Sequence, residues 1–552
     1  MTDNVSLKLI DLVIFGVYMC VSIGLGFWVA RKGKNTAQGY FLGNKTIPWF
    51  VIGSSMVAAD ISSEQFISNV GQAYKHGIVV AAGDWNAWII YTLLIFIFLP
   101  YYVRTGVSTM PEFLERRYNP ACRYIFALAS IFGFVAAINA GALYSGGRML
   151  DSFFGPDLAN ALPQIKLFGS TVSPVVTYIV FFAVTTGVYT IYGGLKSAAW
   201  TDFMQIIILL IAGFIVPILA LHHAGDLTVF IKEHPEHFQV FKPVTHKPFP
   251  VSGLFTGFLS VGIWYSCTSQ HMVQRVLAAK DEWHARMGVV LAGFLHVIMP
   301  FFFIIPGIIA LKMFPNLPHP DQAYLVLVKQ LIPTGLKGLL LAGMSAALMG
   351  HVATVLNSAS TIVTLDLYKN LLNPKATEEQ QVRVGRWSGV VILIASIWIA
   401  IGFTNSSETL FDNVQTILFF IAPPFAVVFT LGILWKRANA TAAVTTMIVG
   451  FLCSFLLYKY ELLGIYNTFN HRALATWMVC MITMFIVSVI TAPPPEDKVR
   501  GIIWNKSFLQ LPPEQRAKYR GIKDWRIWWA LFVGIVLVIY AYFIWRRIQY
   551  PW

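Results

Sequence analysis

Apolar residues in this chain do not alternate with polar ones; they run together. Leu12 to Ala30 is one such run, and Phe203 to Leu221 is another, broken only by Gln205. A run of roughly 18 or more apolar residues is long enough to cross a bilayer as a helix. The pattern predicts about fourteen such helices, near 9–30, 47–75, 79–103, 123–151, 172–193, 201–222, 250–275, 285–313, 337–368, 385–404, 410–435, 438–459, 472–492 and 525–545. No stretch shows the two-residue alternation of a membrane barrel strand. The predicted class is an all-α polytopic membrane protein.

Composition sharpens this. Of 552 residues, 57% are hydrophobic and only 12% charged, against about 25% charged in a soluble domain. A soluble enzyme, a secreted disulfide scaffold and a disordered chain are excluded. The net charge of +14 has a membrane explanation, because cytoplasmic loops are enriched in Lys and Arg. Arg31, Lys32, Lys34 and Lys45, then Arg104, Arg116, Arg117 and Arg123, then Arg275, Lys280 and Arg286 all fall on one side. Lys369, Lys375, Arg383, Arg386, Lys436, Arg437 and the segment from Lys498 to Arg526 join them. This basic face is expected to be cytoplasmic. An even number of spans then places both termini outside, and no nucleic-acid partner is implied. The polar start of the chain, Met1 to Lys8, precedes a run long enough to span, so no cleaved leader is expected. That fits a plasma membrane, in particular a bacterial inner membrane. The five cysteines have no metal-ligand or redox spacing.

Two loops stand out. Residues 223–249 face away from the basic side and carry or adjoin His222, His223, His234, His237 and His246. Their irregular spacing favours a solvated loop over a metal site. Residues 493–524 open on three prolines and suit a linker.

Polar residues interrupt several spans. The second carries Asp60, Ser62, Ser63, Glu64 and Gln65 at mid-membrane, and the seventh carries Ser260, Gly262, Ser266, Thr268, Ser269 and Gln270. Five spans separate them, so they run in opposite directions. Transporters with inverted repeats build a midplane site from such discontinuous helices. Helix packing explains Gly and Ser, but not Asp60, Glu64 and Gln65 together. Asp84, Arg148, Asp202, His296, His351 and Asp366 also lie within or near spans, where ionisable groups are costly and mark function by default. Ala347, Gly350, His351 and Thr354 share one small, polar helix face.

Several motifs together resemble the sodium:solute symporter family, in particular its sodium/glucose cotransporter-like sugar carriers. They are Ala58-Ala59-Asp60-Ile61-Ser62-Ser63-Glu64-Gln65-Phe66, Met110-Pro111-Glu112-Phe113-Leu114, Tyr192-Gly193-Gly194-Leu195, Trp200-Thr201-Asp202, Gln274-Arg275-Val276-Leu277-Ala278-Ala279-Lys280 and Leu356-Asn357-Ser358-Ala359-Ser360-Thr361. The resemblance runs from about residue 7 to 460 and weakens in the tail. It implies a five-plus-five inverted-repeat core of the leucine-transporter type, with one helix before it and three after. The expected divisions are 1–46 (extra helix and loop), 47–249 (first repeat), 250–436 (second repeat) and 437–552 (additional helices with the loop 493–524).

The resemblance also implies alternating access, with sugar bound at the midplane and coupled to a cation. Family sugar contacts align with Asp60, Gln65, Asp84, His296 and Gln415, and the inner-gate aromatic with Tyr265. Trp85, Trp264 and Tyr265 are expected to supply an aromatic face. Where close sugar carriers show Asn, Glu and Lys, this chain has Asp60, Asp84 and His296.

The cation site departs further. In sodium-coupled members two adjacent hydroxyl residues of the ninth span complete the sodium shell. Here they are Gly350 and His351, beside the carbonyl contributors Ala58, Ile61 and Ala347. Sodium is a hard cation that prefers oxygen ligands, whereas imidazole is a natural proton carrier. The expectation is import of a monosaccharide or similar small polyol, coupled to H+, with His351 in place of the sodium ion. The alternatives are sodium coupling at a shifted site near Asp202 and Thr354, uncoupled transport, and a sensor that binds solute without moving it. No cofactor and no enzymatic activity are expected, and the oligomeric state is open.

Overall fold

The structure is a computed structural model that describes residues 7–31, 36–161, 166–167, 170–171, 173–247, 249–404 and 410–549. Among these the chain is helical throughout, apart from a two-residue antiparallel pair, Lys166–Leu167 with Ser170–Thr171. The principal helices are α1 (Leu9–Arg31), α2 (Trp49–Asp60), α3 (Gln65–Thr105), α4 (Pro120–Gly155), α5 (Pro174–Ala224), α6 (Gly257–Gly262, extended by a π turn over Ile263–Thr268) and α7 (Gln270–Leu277). They continue with α8 (Glu282–Met313), α9 (Leu336–Leu372), α10 (Glu378–Phe403), α11 (Leu410–Leu434), α12 (Ala440–Lys459), α13 (Phe469–Ile490) and α14 (Trp525–Gln549).

Eleven of these are long and apolar enough to cross a membrane, where the sequence pattern predicts about fourteen separate spans. The difference lies in how the helices join and break. The expected spans 172–193 and 201–222 form one helix of 51 residues, turned at Gly194, where φ is 62°. A side chain there would lie 2.5 Å from the Tyr40 carbonyl, so the turn and the close approach both require glycine. The expected second and third spans divide elsewhere, at Asp60–Gln65, and α3 bends at Gly77 instead of ending. The seventh is cut at Ser269 into pieces each too short to span.

Burial orders the layers. α9 sits at the centre, with 94% of its most apolar stretch buried, while α1, α13 and α14 are 28%, 28% and 17% buried and lie outside. The exposed Leu128, Phe132, Val391, Ile482 and Val538 form an apolar outer surface suited to lipid.

The basic face is less exposed than its sequence suggests. Arg117, Arg275 and Arg286 are wholly buried and Arg123 nearly so. Arg117 donates to the carbonyls of Gly432 and Trp435 and so caps the end of α11. Arg123 and Thr109 hold Asp366, which makes Asp366 a joint between α4 and α9. Glu282 accepts from both Arg104 and Arg286. The same two arginines reach the carbonyls of Ser507, Phe508, Leu509 and Gln510. Tyr519 stacks on Trp283 at 4.2 Å and 8°. The segment read as a linker is therefore fastened to the basic ends of α3 and α8.

Candidate functional site

Two helix breaks frame the site. α2 ends at Asp60 because Ile61 takes an extended conformation (φ −97°, ψ 127°). Gln65 staples this break: its Oε1 accepts from the Ser62 N–H at 2.7 Å, and its Nε2 donates to the Asp60 carbonyl at 2.9 Å. Backbone groups freed inside a membrane must find such partners. The second break falls at Ser269 (ψ 137°), whose hydroxyl lies 2.6 Å from His271 Nδ1.

A cavity of about 240 Å³ opens beside the first break, many times the ~10–15 Å³ that admits a single water. Asp60, Gln65, Asp84, Tyr265, His296 and Gln415, all six expected contact residues, line it together with His351. His296 is wedged between two acids, with Nδ1 3.2 Å from Asp84 Oδ1 and Nε2 3.4 Å from Asp60 Oδ2. The Tyr91 ring meets the imidazole edge-on, with centroids 5.5 Å apart. Tyr265 faces Asp60. The lining reaches Phe249, Leu254 and Phe255 on the face opposite the basic one. Toward the basic face it is sealed by Tyr102 donating to the Cys267 carbonyl, Gln270 accepting from the Met110 N–H, and Gln274 donating to Phe41 and Thr361.

Three aspects differ from the sequence reading. Trp85 and Trp264 do not face the cavity: Trp85 packs on Tyr540 and Phe543, and Trp264 is wholly buried. The aromatic lining comes from Tyr91, Phe249, Phe255, Phe258, Tyr265 and Phe419. Glu64, Asn69 and Tyr91 line the cavity and were not among the expected contacts. Helical spacing could have found two of them, since Tyr91 lies seven residues from Asp84 and Asn69 four from Gln65, each on the same helix face. His351 also differs in its neighbours, facing the backbone of Ala59 and Ile138 rather than that of Ala58 and Ile61.

Gly350 instead packs against a buried polar cluster. A side chain on Gly350 would lie 2.7 Å from Gln205 Oε1, 3.2 Å from Asp202 Oδ1 and 3.3 Å from Ala58 Cβ. Ser55 donates to Asp202 Oδ2 at 2.5 Å, and Arg275 donates to Ser55 Oγ at 3.1 Å and to Thr354 Oγ1. The guanidinium lies 3.8 Å from Asp202. Asp202 Oδ1 and both polar atoms of Gln205 are buried without a hydrogen-bond partner. The structure thus brings Ala58, Gly350, Asp202 and Thr354 into one buried cluster, while His351, about 100° further round the helix, lines the cavity. Ala347 and Ile61 are buried nearby on the same two helices.

Broken membrane helices around a polar cavity, with a buried polar cluster behind, define an integral-membrane solute carrier. Residues 40–450 match the family model described as the sodium:solute symporter family; the chain belongs to that family and is a transporter, not an enzyme. It is 29% identical over 522 residues to the sodium/glucose cotransporter of Vibrio parahaemolyticus, covering 89% of this chain and 92% of that one. It is also 29% identical over 553 residues to the sodium/myo-inositol cotransporter 2 of Rattus norvegicus, covering 90% of this chain and 79% of that one. The fold matches a solved Na+-coupled sialic acid symporter with a TM-score of 0.78 at 24% identity, covering 88% of this chain and 98% of that one.

Proposed function

We propose that this carrier imports a monosaccharide or similar small polyol by alternating access, coupled to protons through His351. The observation that carries the reading is the convergence of Asp60, Gln65, Asp84, Tyr265, His296, Gln415 and His351 on one cavity. Sugar recognition needs several hydrogen-bonding side chains and an aromatic surface, and this lining offers both. Its charge narrows the solute. Asp60, Glu64 and Asp84 line it with two histidines and no Lys or Arg, so neutral or cationic polyols are favoured and sugar acids are opposed by like charge. The sugar-like names of the relatives agree.

Proton coupling rests on the imidazole of His351, which lies on the cavity wall against the broken end of α2. A proton there adds a donor toward that backbone; its release withdraws it. A sodium reading has its own support. Asp202 Oδ1 and Gln205 Oε1 are hard oxygen atoms, buried and unpartnered, on the spot where a side chain at 350 would lie, and the relatives named above are sodium carriers. In that reading Asp202 is a ligand and His351 a neighbour.

Uptake into proteoliposomes under a sodium gradient and, separately, a proton gradient decides between them. Accumulation under the proton gradient that His351→Ala abolishes supports the first reading. Strict sodium dependence that Asp202→Asn abolishes overturns it. Ligand-induced thermal stabilisation without accumulation under either gradient makes the protein a sensor. The broader assignment belongs to the same proposal: fourteen spans, inverted repeats over 47–249 and 250–436 flanked by 1–46 and 437–552, both termini outside, and a bacterial inner membrane. Two breaks in helices five predicted spans apart support it.

A further inference from the structure

The histidine-rich loop gathers three of its side chains at one point. His234, Glu236 and His237 fall on and beside a single 3₁₀ turn, Pro235–Phe238. That turn places both imidazole Nδ1 atoms against the same carboxylate oxygen: Glu236 Oε1 is 3.5 Å from His234 and 3.0 Å from His237. The three ligand atoms all lie within 4.8 Å of one another. Four ligands at the ~2.0–2.1 Å bond lengths of zinc stand about 3.3 Å apart at the edges of a tetrahedron. Two of the three edges here already have that length. The side chains of His234 and Glu236 are 40% and 52% exposed, so solvent can deliver an ion and supply a fourth ligand. Two nitrogens and a carboxylate oxygen suit zinc better than calcium or magnesium, which take oxygen sets.

The other histidines stand apart. His246 packs on His76 with ring centroids 5.2 Å apart, and His223 bonds the Leu219 carbonyl.

The position of the turn gives the site a mechanical role. The His237 carbonyl lies 2.1 Å from where a side chain on Gly77 would be, so the turn rests directly on the bend of α3. Val80, Gly83 and Asp84, just beyond that bend, line the cavity. Lys242 holds the turn from its other side, donating to the Glu236 carbonyl.

We propose that His234, Glu236 and His237 form a zinc-binding site on the face opposite the basic one, and that bound zinc stiffens the turn against the α3 bend. This site is independent of which solute or coupling ion the carrier uses. The test uses the full-length purified protein in nanodiscs, titrated with Zn2+ in competition with a chromogenic chelator. Wild type should bind one equivalent that is weakened at least ~10-fold in His234→Ala/His237→Ala, as expected for loss of two of three protein ligands. The control His222→Ala/His223→Ala should retain it. Binding that persists in the first variant, or follows the second, overturns the site. Amide exchange over residues 77–84 and 234–247 should slow with zinc in wild type and not in the first variant. Zinc bound at full affinity with no change at 77–84 overturns the mechanical role.

Discussion

The open cavity and the packed polar cluster beside α9 are built to opposite specifications. The cavity beside Asp60 is large, reaches one face of the protein and holds its acids around a histidine. The cluster behind Gly350 is closely packed and centred on Asp202, with a buried arginine fixed to Ser55 and Thr354. Adjacent residues of one helix, Gly350 and His351, serve the two sides. A group in the open cavity can exchange its partner for solute or water. A group in the packed cluster keeps its partner or leaves a buried charge in low dielectric. The first arrangement suits binding, the second holding.

That contrast predicts where substitutions hurt. Arg275→Ala should have the largest effect, about 3–5 kcal/mol of stability, because it strands Asp202 without its cation. A fall of the thermal midpoint in detergent measures it, and adding Asp202→Asn should recover part of the loss. Wild-type stability in the single variant would show that Arg275 does not hold Asp202 as a buried pair.

Next, His296→Ala leaves Asp60 and Asp84 facing each other with no imidazole between them. Uptake should fall by about 30-fold or more, the scale of removing one partner of a buried charged pair. The thermal midpoint should change less than for Arg275→Ala, and a midpoint that falls further would mean that His296 holds the fold rather than the solute. Gly350→Ala forces a methyl group against Gln205 Oε1 and should cost about 1–3 kcal/mol by overpacking. By contrast His351→Ser, facing the cavity, should change ion dependence with little change in the thermal midpoint. If both substitutions act alike on stability, the division between cavity and cluster fails.

The smallest effect is expected at the rim. Burial pushes His246 down to about 4 from its ordinary 6.5, with Lys242 adding repulsion. The unfolded loop therefore takes up a proton between pH 6.5 and 4 that the packed loop refuses. Stability of the packed loop should fall as pH drops through that window. Amide exchange over 234–247 should quicken on acidification, and His246→Gln should flatten the response.

Much of this architecture was legible from residue patterns. Long apolar runs announce helices whatever they pack against, and Asp60, Glu64 and Gln65 at mid-membrane announce a break. Of the six cavity residues, Asp60 and Gln65 lie within a motif, while Asp84, Tyr265, His296 and Gln415 were reached only through the family resemblance. What resisted was pairing. Arg275, Arg286 and Arg117 look like loop charges in a linear reading, because a charge near a span end reads the same whether it meets water or a buried carboxylate. Trp85 and Trp264 neighbour cavity residues in sequence but point elsewhere, since adjacent helix positions differ by about 100°. The union of two predicted spans through Gly194 likewise depends on a backbone angle.

The fastening at the basic face has one more consequence. Arg104 and Arg286 grip the stretch 507–510 through its carbonyl oxygens, which every residue possesses. Apart from Phe508, whose ring lies under the Arg104 guanidinium at 5.1 Å, the side chains there contribute little to this grip. The latch reads the path of the chain and is nearly blind to its letters. Relatives could rewrite this tail freely and still keep α3 and α8 clasped, so a weak sequence match in the tail is compatible with a preserved mechanical part.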